Sequence, residues 1–189
     1  MFSHRHSHLS APARDGAPSL AGILLLRSVV SPQSSGSGVA TSAGLCYGSL
    51  GSDTGGSIRF PSAACGIVGI KPTWGRVSRY GVLALAESLD HIGPMTRCAA
   101  DAGIILQTIA GLDPNDPTTL AAPVPPMLEE IDQGVHGLRI GVDETYISGN
   151  TDPQLAESVL AGIGVLERLG AVLVKIQMPD ISDYMEAFG

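Results

Sequence analysis

The chain has 189 residues, 44% apolar, 15% charged and 4% aromatic, and its 11 basic and 18 acidic side chains give a formal charge of −7. Low charge with ample apolar content excludes a disordered chain, and the net negative charge excludes the basic surface of a nucleic-acid binder. This length holds about one domain and buries about two-thirds of the unfolded surface.

The three cysteines, Cys46, Cys65 and Cys98, form no C-x-x-C pair, so neither a zinc site nor a disulfide framework is written here. They are read as buried thiols of a reducing compartment, which predicts a cytoplasmic protein. No apolar run reaches the roughly 18 residues of a membrane span, so no membrane partner is expected. Charge is uneven: residues 34–80 carry a balance of +3, and residues 81–189 a balance of −12. An anionic substrate group would prefer the middle segment.

Residues 1–33 open the chain with His4, His6 and His8, which read as incidental to a frayed terminus rather than as a weak metal site. The apolar run at 20–26 is interrupted by Arg27 and followed by no small-residue cleavage site, so it is not read as a signal peptide. The run SSGSG at 34–38 is a loop, or a loop opening a helix. Small apolar residues at 39–45 predict a helix pressed against a sheet and ended by Gly44. Residues 50–59 read as a glycine-rich loop, and residues 66–70 as a short buried strand stopped by Pro72. Residues 78–82 read as a turn with a short extended piece. Thr96 is the expected cap of a helix over 99–110, whose apolar positions Ile104, Ile105, Leu106 and Ile109 follow the helical period before Gly111. Five prolines among residues 113–126 demand a loop. A strand at 138–142 leads to Asp152 as cap and Pro153 as first residue of a helix reaching Leu169, with Leu155, Val159, Ile163, Leu166 and Leu169 along one face. Gly170 ends it and a strand follows at 171–176. Strand, helix and strand in this order make a βαβ unit, which predicts an α/β fold with parallel pairing.

Chemistry concentrates at residues 51–61, GSDTGGSIRFP. Gly55 and Gly56 allow backbone shapes that let amide N–H groups converge on one point, and Ser57 follows them directly. A hydroxyl beside converging N–H donors is what acyl transfer needs, since removing one donor to the developing oxyanion raises the barrier by about 3–4 kcal/mol. Two other readings stay open on residue types alone: a loop cradling an anion, and a structural turn with an incidental serine. The familiar phosphate loops and the G-x-S-x-G elbow are absent, Arg59 standing where the last glycine of the elbow belongs. A base is also required. His91 with Asp90 is one option, and Lys71 with a depressed pKa is another.

Residues 34–119 resemble the core of the amidase signature family. The loop SSGSG, the run GSLGSDTGGSIRFPSAACGIVGIKPTWGRVSRYG and the run LDHIGPMTRCAADAGIILQTIAGLDPNDPTT come in the family's order. Residues 138–178 resemble the family's next segment, more loosely. The resemblance implies a mixed sheet flanked by helices and a Ser–cis-Ser–Lys hydrolase that needs no metal or cofactor. It makes Ser57 the acyl-forming nucleophile and the backbone amides of Thr54, Gly55, Gly56 and Ser57 the oxyanion hole. Arg59 either braces Asp53 or binds an anionic group of the substrate. Lys71 falls in the family's K-P-T motif, which is not where the catalytic lysine stands. Laid on residues 31–37, the serine/glycine motif puts Gln33 at the cis-serine position, and Ser34 is the neighbouring hydroxyl that could take the role.

These readings predict a non-matching, disordered leader over residues 1–33 and an incomplete amidase signature domain over residues 34–189, stopping soon after its last strand. The expected activity is cleavage of a small-molecule carboxamide at a C–N bond other than a peptide bond, giving a carboxylic acid and ammonia or an amine. It is expected to be impaired in this chain. The alternatives are an inactive remnant lacking the triad lysine and cis-serine, and an amidotransferase-type subunit that works with partner chains. Unpaired strand edges and bare apolar faces predict self-association.

Overall fold

A computed structural model describes residues 34–129, 131–149 and 151–180. The leader at 1–33, with its histidines and Gln33, and the end at 181–189 lie outside the described residues. The chain divides into two compact units between Leu128 and Glu129.

The first unit is built on a three-stranded antiparallel sheet of order β1-β3-β2: β1 is Gly48–Asp53, β2 is Val68–Gly69 and β3 is His91–Thr96. Its helices are α1 (Ser35–Ser42), α2 (Arg59–Cys65) and α3 (Ala99–Ile109). Strand β3 is central and buried from Ile92 onward. The register pairs Gly48 with Thr96, Gly51 with Gly93 and Asp53 with His91 on one side, and Val68 with Thr96 on the other. A core of Val77, Ile92 and Leu106, joined by Ile70, Ile109 and Met127, packs beside it.

Strand β1 corrects the loop expected from residue 50: the sheet takes in the chain as far as Asp53. The usual alternation is missing because covered positions hold glycine. A Cβ on Gly48 would stand 2.7 Å from Ile105 Cδ1, and one on Gly51 would stand 3.0 Å from both Ile58 Cγ1 and Ser34 Oγ. The helix expected after the SSGSG run begins inside it, at Ser35, and Gly44 follows its end with φ +74°. A Cβ on Gly38 would come within 3.1 Å of Met95 Cε, so the small residues of α1 let it sit close on the sheet. The expected strand at 66–70 shrinks to Val68–Gly69, because Gly66 is the left-handed cap of α2. Helix α3 is capped by Cys98 rather than Thr96. Thr96 ends β3, is fully buried, and its Oγ1 donates to Cys98 O at 2.7 Å.

The second unit is the expected βαβ arrangement. Strands β4 (Arg139–Val142) and β5 (Val172–Lys175) pair in parallel, Arg139 opposite Val172. Between them run a short helix α4 (Glu144–Ser148), not anticipated from sequence, and α5 (Pro153–Arg168). Asp152 Oδ1 accepts from Gln154 N at 2.9 Å and Leu155 N at 3.3 Å, and Pro153 fills the first turn as expected. Exchange of Asp152 for alanine is expected to cost about 1 kcal/mol of helix stability, read as a lower denaturant midpoint by circular dichroism. Leu155 and Val159 on the apolar face of α5 are exposed, as is its C-cap Leu169, and Ala156 is its buried residue. Among the described residues no helix is long and apolar enough to cross a membrane.

Candidate active site

Residues 54–58 form the turn between β1 and α2. Its far end is tied to Asp53, the last residue of β1, whose side chain is wholly buried. Asp53 Oδ1 accepts from Gly56 N at 2.8 Å, and Oδ2 accepts from Ile58 N at 3.1 Å and Arg59 N at 3.3 Å. The Arg59 guanidinium adds a two-point contact, Nε to Oδ2 at 3.1 Å and Nη2 to Oδ1 at 3.0 Å. Burial pushes the Asp53 carboxyl up, but Arg59 and the amides of Ile58 and Arg59 outweigh it and hold the group below the usual carboxylate range. Arg59 therefore braces the turn, while 55% of its side chain stays exposed.

Ile58 supplies the second anchor. Its side chain is fully buried on a seat made by one glycine from each strand. Would-be Cβ atoms on Gly51, Gly69 and Gly93 stand 3.0, 3.0 and 3.2 Å from Ile58 side-chain atoms. Gly56 takes φ +135°, a backbone shape that residues with side chains rarely adopt. Ser57, half-buried, is thus held between a locked glycine and a seated isoleucine.

The amides expected to converge are divided in use. That of Gly56 is turned inward to Asp53. Those of Gly55 and Ser57 meet no acceptor among the described residues. The Thr54 hydroxyl donates to Asp90 Oδ1, a contact that sequence reasoning missed.

The other candidate residues lie in different arrangements. Ser34 is buried against β1, where its Oγ donates to Ser52 O at 3.3 Å. The His91–Asp90 pair does not form: His91 Nδ1 lies 2.6 Å from Leu89 O and 3.2 Å from Asp53 O, and Asp90 accepts from Thr54, Leu85 and Ala86. Lys71 Nζ donates to Pro72 O at 3.0 Å. Cys65 is buried, which pushes its thiol pKa up and makes it a poor competitor to a serine nucleophile.

Comparison with known proteins bears on this geometry. The family model described as Amidase matches residues 30–188. The glutamyl-tRNA(Gln) amidotransferase A subunit of Synechococcus sp. (strain CC9311) is 53% identical over 151 residues, covering 79% of this chain and 31% of the relative. That of Geobacillus stearothermophilus is 48% identical over 154 residues, 82% of this chain and 32% of the relative. Among solved structures, the corresponding protein from Thermotoga maritima superposes with a TM-score of 0.72 at 45% identity, over 76% of this chain and 32% of that one. The native peptide amidase of Stenotrophomonas maltophilia superposes with a TM-score of 0.67 at 36% identity, over 80% of this chain and 32% of that one. The chain thus spans 31% to 32% of the length of these relatives.

Proposed function

We propose, from the premise that this chain belongs to the amidase signature family, that Ser57 is the acyl-forming nucleophile in cleavage of a carboxamide. Ser57 Oγ attacks the carbonyl carbon and a C–O bond forms while the serine proton passes to a base. Ser57 Oγ meets no hydrogen-bond partner among the described residues, so this step is expected to be slow and the activity impaired. The carbonyl oxygen takes up negative charge, and the open amides of Gly55 and Ser57, with that of Thr54 beside them, receive it. The C–N bond then breaks and the nitrogen leaves, protonated, as ammonia or an amine. Water cleaves the acyl ester, giving a carboxylic acid and the free serine. The observation that carries this reading is the anchored turn itself: Ser57 lies between the Asp53-locked Gly56 and the buried Ile58, with open amides on either side of the glycine. Of the three cysteines expected to be buried, Cys65 is, whereas Cys46 is half-buried and Cys98 exposed. All three are free thiols, which favours a reducing compartment, and we place the activity in the cytoplasm.

A second reading is favoured by the identity of 53% and 48% to two amidotransferase A subunits. In it the same serine chemistry releases ammonia from glutamine for use by partner chains. Copurification with partners and glutamine-dependent turnover would select it over the free hydrolase.

Both readings share one test. A fluorophosphonate probe incubated with the chain is expected to phosphonylate Ser57, located by fragmentation of the digested peptide, and the Ser57→Ala chain is expected to stay unlabelled. Absence of an adduct at Ser57, or equal labelling of the alanine variant, would overturn the assignment.

A further inference from the structure

The start of the serine turn has an anchor of its own. The β1–β3 register pairs Asp53 with His91, and one step further along the same ladder brings Thr54 opposite Asp90. Facing residues on antiparallel strands carry their Cβ atoms within about 4.5–5.5 Å, close enough for a hydroxyl to reach a carboxylate. The Thr54 hydroxyl donates to Asp90 Oδ1. The other oxygen, Oδ2, accepts from Leu85 N at 2.8 Å and Ala86 N at 3.0 Å. Asp90 is only 6% exposed, and Thr54 is half-buried.

Two buried carboxylates therefore grip the turn from opposite ends. Asp53 holds Gly56, Ile58 and Arg59. Asp90 holds Thr54. The open amides of Gly55 and Ser57 lie in the span between the two grips.

We propose that Asp90 is a positioning residue for acylation at Ser57, fixing through the Thr54 hydroxyl the first peptide of the turn and so the direction of the amides that receive the oxyanion. The inference rests on the nucleophile reading of Ser57. Asp90 touches no reacting atom; it acts through Thr54. Burial pushes its carboxyl up, but the Thr54 hydroxyl, the amides of Leu85 and Ala86 and the charge of Arg79 outweigh it and keep the group below the usual carboxylate range. At neutral pH it is an anion, able only to accept, which suits three donors.

The test compares wild type with Thr54→Ser, Thr54→Val, Asp90→Ala and the Thr54→Val/Asp90→Ala double variant. The readouts are the rate of fluorophosphonate labelling at Ser57, hydrogen exchange of the Gly56 amide, which Asp53 accepts from, and the melting temperature. Loss of the hydroxyl in Thr54→Val is expected to slow labelling about 10–100-fold, the range for a small misplacement of reacting groups, and to speed exchange in the turn. Thr54→Ser keeps the hydroxyl and is expected to label within about twofold of wild type, the serine hydroxyl being an equivalent donor. The double variant should label no more slowly than Asp90→Ala, since Asp90 acts through Thr54. If Asp90→Ala fails to fold, the contrast between Thr54→Val and Thr54→Ser at unchanged melting temperature decides. A Thr54→Val chain that labels and exchanges like wild type overturns the inference while leaving the nucleophile reading intact. A wild-type chain unlabelled at Ser57 overturns the nucleophile reading, and the positioning role with it.

Discussion

Replacement of Asp53 by alanine is expected to destabilise the unit carrying the serine turn by about 2–4 kcal/mol, chiefly from backbone amides that lose their acceptor. The carboxylate is wholly buried and accepts from three backbone amides besides Arg59. The buried amide of Ile58 left without an acceptor costs about 1–3 kcal/mol, and the part-buried amides of Gly56 and Arg59, which water can reach, cost less. The guanidinium adds less, because a side chain 55% exposed regains water when its partner is removed. The sole tryptophan, Trp74, lies in this unit, so its fluorescence in a urea titration reads the relevant transition. Acid should act on wild type in the same sense. Asp53 and Asp90 are both held below the usual carboxylate range. Their contribution is therefore complete above the unfolded value of about 3.9 and is lost as pH falls through the folded values. Asp53→Ala should flatten that acid limb. A midpoint shift worth less than about 1 kcal/mol, the net value of one ordinary hydrogen bond, would mean that the turn keeps its shape without the carboxylate.

What the sequence made legible depended on whether the signal was local. Asp152-Pro153 and Gly170 bracket α5 because a cap, a first-turn proline and a left-handed glycine each act within one turn of helix. The partnership of Asp53 with Arg59 was open to reading because the two lie six positions apart around one turn. Strand β1 was hidden for a tertiary reason: its glycines make room for Ile58 and Ile105, and a strand whose covered positions are glycine shows no alternation. Helix α4, Glu144–Ser148, is too short to display a helical period. Asp90 was visible only as a possible partner of His91, whereas its partner Thr54 stands 36 positions away and is reached through the strand register. The inward turn of the Gly56 amide depended on the same kind of detail, since a pair of glycines tells which amides can converge but not which one a neighbouring carboxylate claims.

The close seating of Ile58 leads to the remaining prediction, that Gly93→Ala costs about 3 kcal/mol, the upper part of the range for overpacking. A Cβ on Gly93 would stand 2.0 Å from Ile70 O, 3.0 Å from Pro72 Cδ and 3.2 Å from Ile58 Cδ1. A side-chain neighbour could rotate away, but the nearest obstacle is a backbone carbonyl. Its residue is also tied to β3, through Ile70 N donating to Pro94 O at 3.0 Å. To admit the methyl group, the chain at Ile70 must lift from β3, weakening that hydrogen bond and drawing Ile70 from the core of Val77, Ile92 and Leu106. Gly36→Ala is the matched control: it lies within α1 with nothing near its would-be Cβ, so the helix should gain about 0.5–1 kcal/mol. Opposite shifts of the Trp74 unfolding midpoint are therefore expected from one and the same chemical change. Because Ile58 adjoins both Gly93 and Ser57, Gly93→Ala should also slow fluorophosphonate labelling under conditions where the variant remains folded. A near-neutral Gly93→Ala would show that the chain at Ile70 yields without loss, and the glycine seat could then no longer be what fixes the serine.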